Sequence, residues 1–170
     1  MLLCVSSADP KQGKGRIHMK NLRIKFSMYG LLIVILQAIP NVIWALWPPS
    51  PNALKGNAST VPFIEYGEHI LGIAIVILLI FLVSTSQAKG IPKGKWTAVS
   101  IISIALYWLC WMLYFAGVQP LPVIYAMVVL PPVAFFGAGI SKKVWLISAA
   151  SALFLVFHLL VALENFPIRI

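Results

Sequence analysis

The sequence predicts an all-α polytopic membrane protein, a bundle of five transmembrane helices with the N-terminus inside and the C-terminus outside. Three observations carry that reading. Hydrophobic residues make up 61% of the 170-residue chain and charged residues 10%, with a mean hydropathy of +0.94, far too little charge for a water-facing surface. The apolar residues gather into five long runs, and the basic residues fall between the runs in alternating connections. The formal net charge of +9 therefore reports topology. It forms no recognition-helix pattern, which excludes nucleic acid as a partner and leaves the lipid bilayer as the solvent.

Residues 1–18 contain Asp9, Pro10, Gly13 and Gly15 without an amphipathic period and read as a disordered extension. The rival reading is a start codon assigned too early. Met19, followed by Lys20, Asn21, Leu22 and Arg23, resembles a membrane-protein start, and Gly13 to Arg16 is what a purine-rich ribosome-binding sequence would encode. Residues 19–170 form a single membrane domain. Its first span lies near 26–47, after the basic flank of Lys20, Arg23 and Lys25, and is too long for a signal-peptide core. Pro40 should bend it, Gln37 and Asn41 share one face, and Trp44 and Trp47 suit an aromatic belt. Pro48 to Asn52 ends the helix and opens an exposed connection to Pro62.

The second span, near 64–86, is the least regular. Its uninterrupted apolar run, Ile70 to Val83, covers only about 21 Å of helix against a hydrocarbon slab of about 30 Å. Polar residues must therefore enter the layer at one end, either Glu65, Glu68 and His69 or Ser84 to Gln87. The third span, near 97–117, carries Tyr107, Trp108, Trp111 and Tyr114, too many aromatics for one interface; Cys110 is expected to pack as a small apolar group. The fourth, near 121–140, has Pro131 and Pro132 at its centre, where they should bend or open the helix, followed by Gly137 and Gly139 for close approach. The fifth, near 144–163, begins after Lys142 and Lys143 and traces a face of Ser148, Ser151, Leu155, His158 and Ala162. His158 sits about 21 Å along it, beyond the midplane.

Orientation follows from charge. Five crossings with the N-terminus inside put 11 basic residues inside and Lys55 and Arg169 outside, or 8 against 2 if translation starts at Met19. The same topology gathers Gln37, Asn41, Glu65, Glu68, His69, His158 and Glu164 in the outer half or at its edge, which predicts an outward-facing polar cavity. His69 and His158 should approach that cavity together, with Glu65 or Glu68 as the acidic partner.

Three function classes follow. The leading one is a small integral membrane protein, in a bacterial plasma membrane, that binds or transports a small molecule or ion. The alternative is a structural or accessory subunit that contacts a second copy or another membrane protein through Gly72, Gly137, Gly139 and the serine face. An enzyme comes third, since Glu65, Glu68, His69 and His158 could form an acid-base or carboxylate-imidazole metal site. Catalytic residues and metal binding stay unassigned. No cofactor is called for, because neither a phosphate-binding loop nor a dinucleotide fingerprint occurs.

Overall fold

The computed structural model describes residues 22–86 and 90–168. The readings of residues 1–18, of Met19 as a start, and of Lys89 and Arg169 in the charge count lie outside the described residues. Five helices form: α1 (Met28–Leu46), α2 (Pro62–Phe81), α3 (Lys95–Phe115), α4 (Leu121–Ser141) and α5 (Trp145–Asn165). All five are long and apolar enough to cross a membrane, as expected, and their 19 to 21 residues give about 29–32 Å of helix. Leu32, Ile35, Ile73, Ile77, Leu153 and Val156 point outward, an arrangement compatible with an integral membrane protein.

Around the bundle α3, α4, α5, α2 and α1 follow one another, with α4 packed between α3 and α5. Small residues set those crossings. A Cβ on Gly137 would lie 2.7 Å from Ser100 Oγ and 2.9 Å from the Trp96 carbonyl; one on Gly139 would lie 2.8 Å from the Ser148 amide. Gly137, Gly139, Ser148 and Ser151, the residues expected to contact a partner, are therefore packed inside the chain. Ser148 donates to the Phe136 carbonyl and Ser100 to that of Ala134, so the hydroxyls knit α4 to both neighbours.

The prolines behave differently from one another. Pro40 has no amide proton for the Leu36 carbonyl, and Trp108 Nε1 on α3 donates to that oxygen at 2.8 Å. The missing bond becomes a helix-helix bond. Of the two expected outcomes at Pro131 and Pro132, a bend or an opening, α4 shows no opening: the helix is continuous from Leu121 to Ser141. Both prolines are buried, so neighbours hold the segment on every side, while the carbonyls of Met127 and Val128 lose their usual donors.

The second span ends at Phe81, five residues before the expected limit of 86. Beyond it the chain extends as β2 (Leu82–Ser84) and pairs antiparallel with β1 (Leu22–Ile24), with Arg23 opposite Val83. The ladder ends α2 at Phe81, where Leu78 keeps its ordinary i+4 donor and the last three carbonyls find others. Leu78 accepts from the Leu82 amide, Leu79 from Lys142 Nζ, Ile80 from the Ser27 amide and Phe81 from the Lys25 amide. Lys142, expected to mark the inner boundary, is completely enclosed there. Its position is set by a Schellman turn at the end of α4, in which the Val144 amide donates to Gly139 and that of Lys143 to Ile140.

Candidate functional site

Polar residues converge at the end of the bundle where α1, α3 and α5 finish and α2 and α4 begin. A cavity of about 480 Å³ lies there between all five helices. Along α1 it is lined from Val34 through Gln37, Ala38 and Asn41 to Trp44, about 15 Å of helix. Val76, Ile124, Met127, Val128, Pro131 and Phe135 supply apolar wall; Tyr107, Trp111 and Phe154 supply rings. Ala38, Asn41 and His69 are its exposed members and mark its open side.

Glu68 of α2 and His158 of α5 meet in this wall. His158 Nδ1 lies 2.5 Å from Glu68 Oε1, with both side chains largely buried, and the imidazole stacks on Phe154 at 5.0 Å and 21°. The contact needs a proton between nitrogen and carboxylate, since two lone pairs at that distance would repel. Opposite, Asn41 donates to the Tyr107 hydroxyl at 2.8 Å and to the Gln37 carbonyl at 2.9 Å. The Gln37 side chain is 4% exposed, and neither its amide oxygen nor its amide nitrogen has a partner; the Trp111 indole N–H is likewise buried and unpaired. Such groups cost about 1–3 kcal/mol each.

Five of the seven expected pocket residues, Gln37, Asn41, Glu68, His69 and His158, line this one cavity. Glu65 and Glu164 are not among its lining residues. Glu65 accepts from the Ser59 amide at 2.7 Å and meets His69 at 3.3 Å; Glu164 accepts from Ser59 Oγ at 3.1 Å and the Thr60 amide at 3.0 Å. The reason is local: amides entering the N-terminus of α2 lack helical acceptors and attract carboxylates. Glu68 therefore is the acidic group beside His158, and Glu65 the one beside His69. The acidic and imidazole groups form two pairs, and among the described residues no cluster of three or more His, Cys, Asp or Glu is arranged to hold a metal.

The segment between α1 and α2, expected as an exposed connection, is pinned across this end. Asn52 accepts from Trp44 and Tyr114, the Leu54 amide donates to the Tyr114 hydroxyl, and Asn165 reaches the Ala58 carbonyl. Leu54 and Asn57 thereby become part of the cavity wall. Tyr107, Trp111 and Tyr114 recur at helical spacing, so their common buried face was readable as i, i+4, i+7. Nothing local marked Asn57 or Phe154. Comparison of the chain with protein-family models, curated proteins and solved structures gave no match in any of the three.

Proposed function

We propose that the chain is an integral protein of a bacterial plasma membrane that binds or transports a small molecule, with the cavity facing outward and the N-terminus inside. The observation that carries the reading is the convergence of Gln37, Asn41, Glu68, His69 and His158 on one cavity of about 480 Å³ with otherwise apolar walls. That volume lies in the small-molecule range of about 300–1,000 Å³, and ionisable groups within an apolar layer are costly, so where they occur they commonly line a pathway or ligand site. The orientation draws support from the described basic residues: Arg23, Lys25, Lys93, Lys95, Lys142 and Lys143 lie at the end of the bundle opposite the cavity, and Lys55 alone lies at the cavity end. The accessory-subunit reading is weaker, because Gly137, Gly139, Ser148 and Ser151 of its contact set are already packed between α3, α4 and α5.

Water access to the wall tests the proposal. With Cys4 and Cys110 replaced by Ser, Val76→Cys should react with a membrane-impermeant methanethiosulfonate added to the outer side of membrane vesicles. Small ligands found by thermal-shift screening should slow that reaction. Failure to react from either side would defeat the reading.

A further inference from the structure

We infer that the cavity takes an organic cation, held by Glu68 among aromatic walls, in exchange for the second proton of His158. The inference rests on reading the cavity as a small-molecule site, and begins with its charge inventory. The lining contains one carboxylate, Glu68, and two imidazoles, His69 and His158; it contains no Lys or Arg. Lys55 borders a separate depression with Trp44, Pro48 and Asn52, and Lys142 is enclosed at the other end of the bundle. An anionic ligand would find no fixed counter-charge here.

The pair geometry then defines what a cation replaces. At 2.5 Å the His158 Nδ1 proton faces Glu68 Oε1 whether the ring is neutral or charged, so the variable proton is the one on Nε2. With it, carboxylate and imidazolium cancel. Without it, the pair carries one negative charge in an apolar layer, which is expensive unless another cation stands in. The exchange balances. Before it, the Glu68 carboxylate faces the His158 imidazolium; after it, the same carboxylate faces the organic cation and a neutral imidazole. One proton passes from Nε2 to water, and no other bond changes.

The walls suit that occupant. Trp44, Tyr107, Trp111 and Phe154 line it, and aromatic rings attract a desolvated cation, as the stacking of the His158 imidazole on Phe154 already shows for this wall. Met127 and Val128, whose carbonyls lose their helical donors to Pro131 and Pro132, also line the cavity. Other titratable groups are placed elsewhere or tied up. Glu65 is held by Ser59 beside His69, Glu164 by the connector, and the Tyr107 hydroxyl by Asn41; α1 and α4 add none to the lining.

Two isosteric probes decide the matter: para-(trimethylammonio)benzyl alcohol, whose charge cannot titrate, and its neutral carbon counterpart para-tert-butylbenzyl alcohol. Binding to the full chain in lipid nanodiscs is measured calorimetrically in buffers of different ionisation enthalpy, with empty nanodiscs subtracted, between about pH 5 and 8 where imidazoles titrate. The cation should bind at least tenfold more tightly than the neutral probe, release about one proton at the acid end, and tighten as pH rises. Glu68→Gln should abolish the preference for the cation, His158→Gln should keep cation binding but lose the proton release, and His69→Gln should leave that release in place. Equal binding of both probes to the wild type, or cation binding without proton release, overturns the exchange and leaves the cavity reading standing. No binding of either probe overturns both.

Discussion

Two helix ends show how much one backbone torsion matters. The turn after α3 places Gly117 at φ 83°, with the Val118 amide donating to Leu113 and the Gly117 amide to Tyr114; the turn after α4 has the same bonds but places Lys143 at φ 56°. A side chain in that left-handed region costs about 1 kcal/mol relative to glycine. Lys143→Gly should stabilise the protein and Gly117→Ala destabilise it, each by about 1 kcal/mol, read as thermal midpoints that move up and down on detergent-purified protein. The neighbouring Lys142 makes a different prediction. Burial lowers its pKa from 10.5 to about 8, so between those values the unfolded chain holds more protons than the folded one. Stability should therefore rise with pH across that window and stay flat with respect to this group below it. A thermal midpoint that climbs from about pH 8 to 10 in the wild type and loses the climb in Lys142→Met would bear this out. Neither role was visible in the sequence, where both lysines read as boundary charge. The site was more legible: hydropathy gave the depth of Gln37, Asn41, Glu68 and both histidines, but depth alone does not say that Glu68 turns inward and Glu65 toward Ser59.

At the scale of elements, α1 and α2 cross so closely at Gly30 that an added Cβ would overlap the Leu79 backbone carbonyl and crowd Lys142 Nζ. Gly30→Ala should cost about 1–3 kcal/mol or more, since backbone cannot swing aside as a side chain can. Gly72→Ala is the contrasting case. Its Cβ would meet Phe154 at an ordinary 3.6 Å, so the gain in helix propensity, up to about 1 kcal/mol, should dominate. Circular dichroism melts of the two variants should move in opposite directions. The helices themselves were legible to within two residues at most ends, because an apolar run must match the thickness of the bilayer. The β1–β2 ladder was not. Three-residue strands have no period of their own, and Leu82 and Val83 continue an apolar run whose helix is interrupted only by pairing with a segment sixty residues earlier in the chain.

For the whole molecule, the connector between α1 and α2 is fastened to α3 and α5, so the cavity end behaves as one assembly. Removing both carboxylate anchors, Glu65→Ala with Glu164→Ala, should free the segment around Ser59 and Thr60 and speed its cleavage by an added protease at least severalfold. Unchanged cleavage would assign its hold to the remaining anchors, Asn52 and Leu54 on Tyr114 and Ala58 on Asn165. The proposed orientation is tested by reporter fusions at the C-terminus. Activity of a periplasmic reporter there is expected, and activity of a cytoplasmic one would reverse the assignment of the cavity to the outer side.

The donor set that finishes α2 also bears on how the chain is made. Ser27 and Lys25 precede α2 and are present when it leaves the ribosome, but Lys142 is synthesised 63 residues after the Leu79 carbonyl it serves. A nascent chain that has delivered only α1 and α2 thus carries an unfinished helix end at its crossing with Gly30. Completion waits for α4. Release of the first hairpin from the insertion machinery should accordingly lag until α4 has emerged, and chains truncated after Ser141 should be degraded faster in cells than chains ending after Asn165.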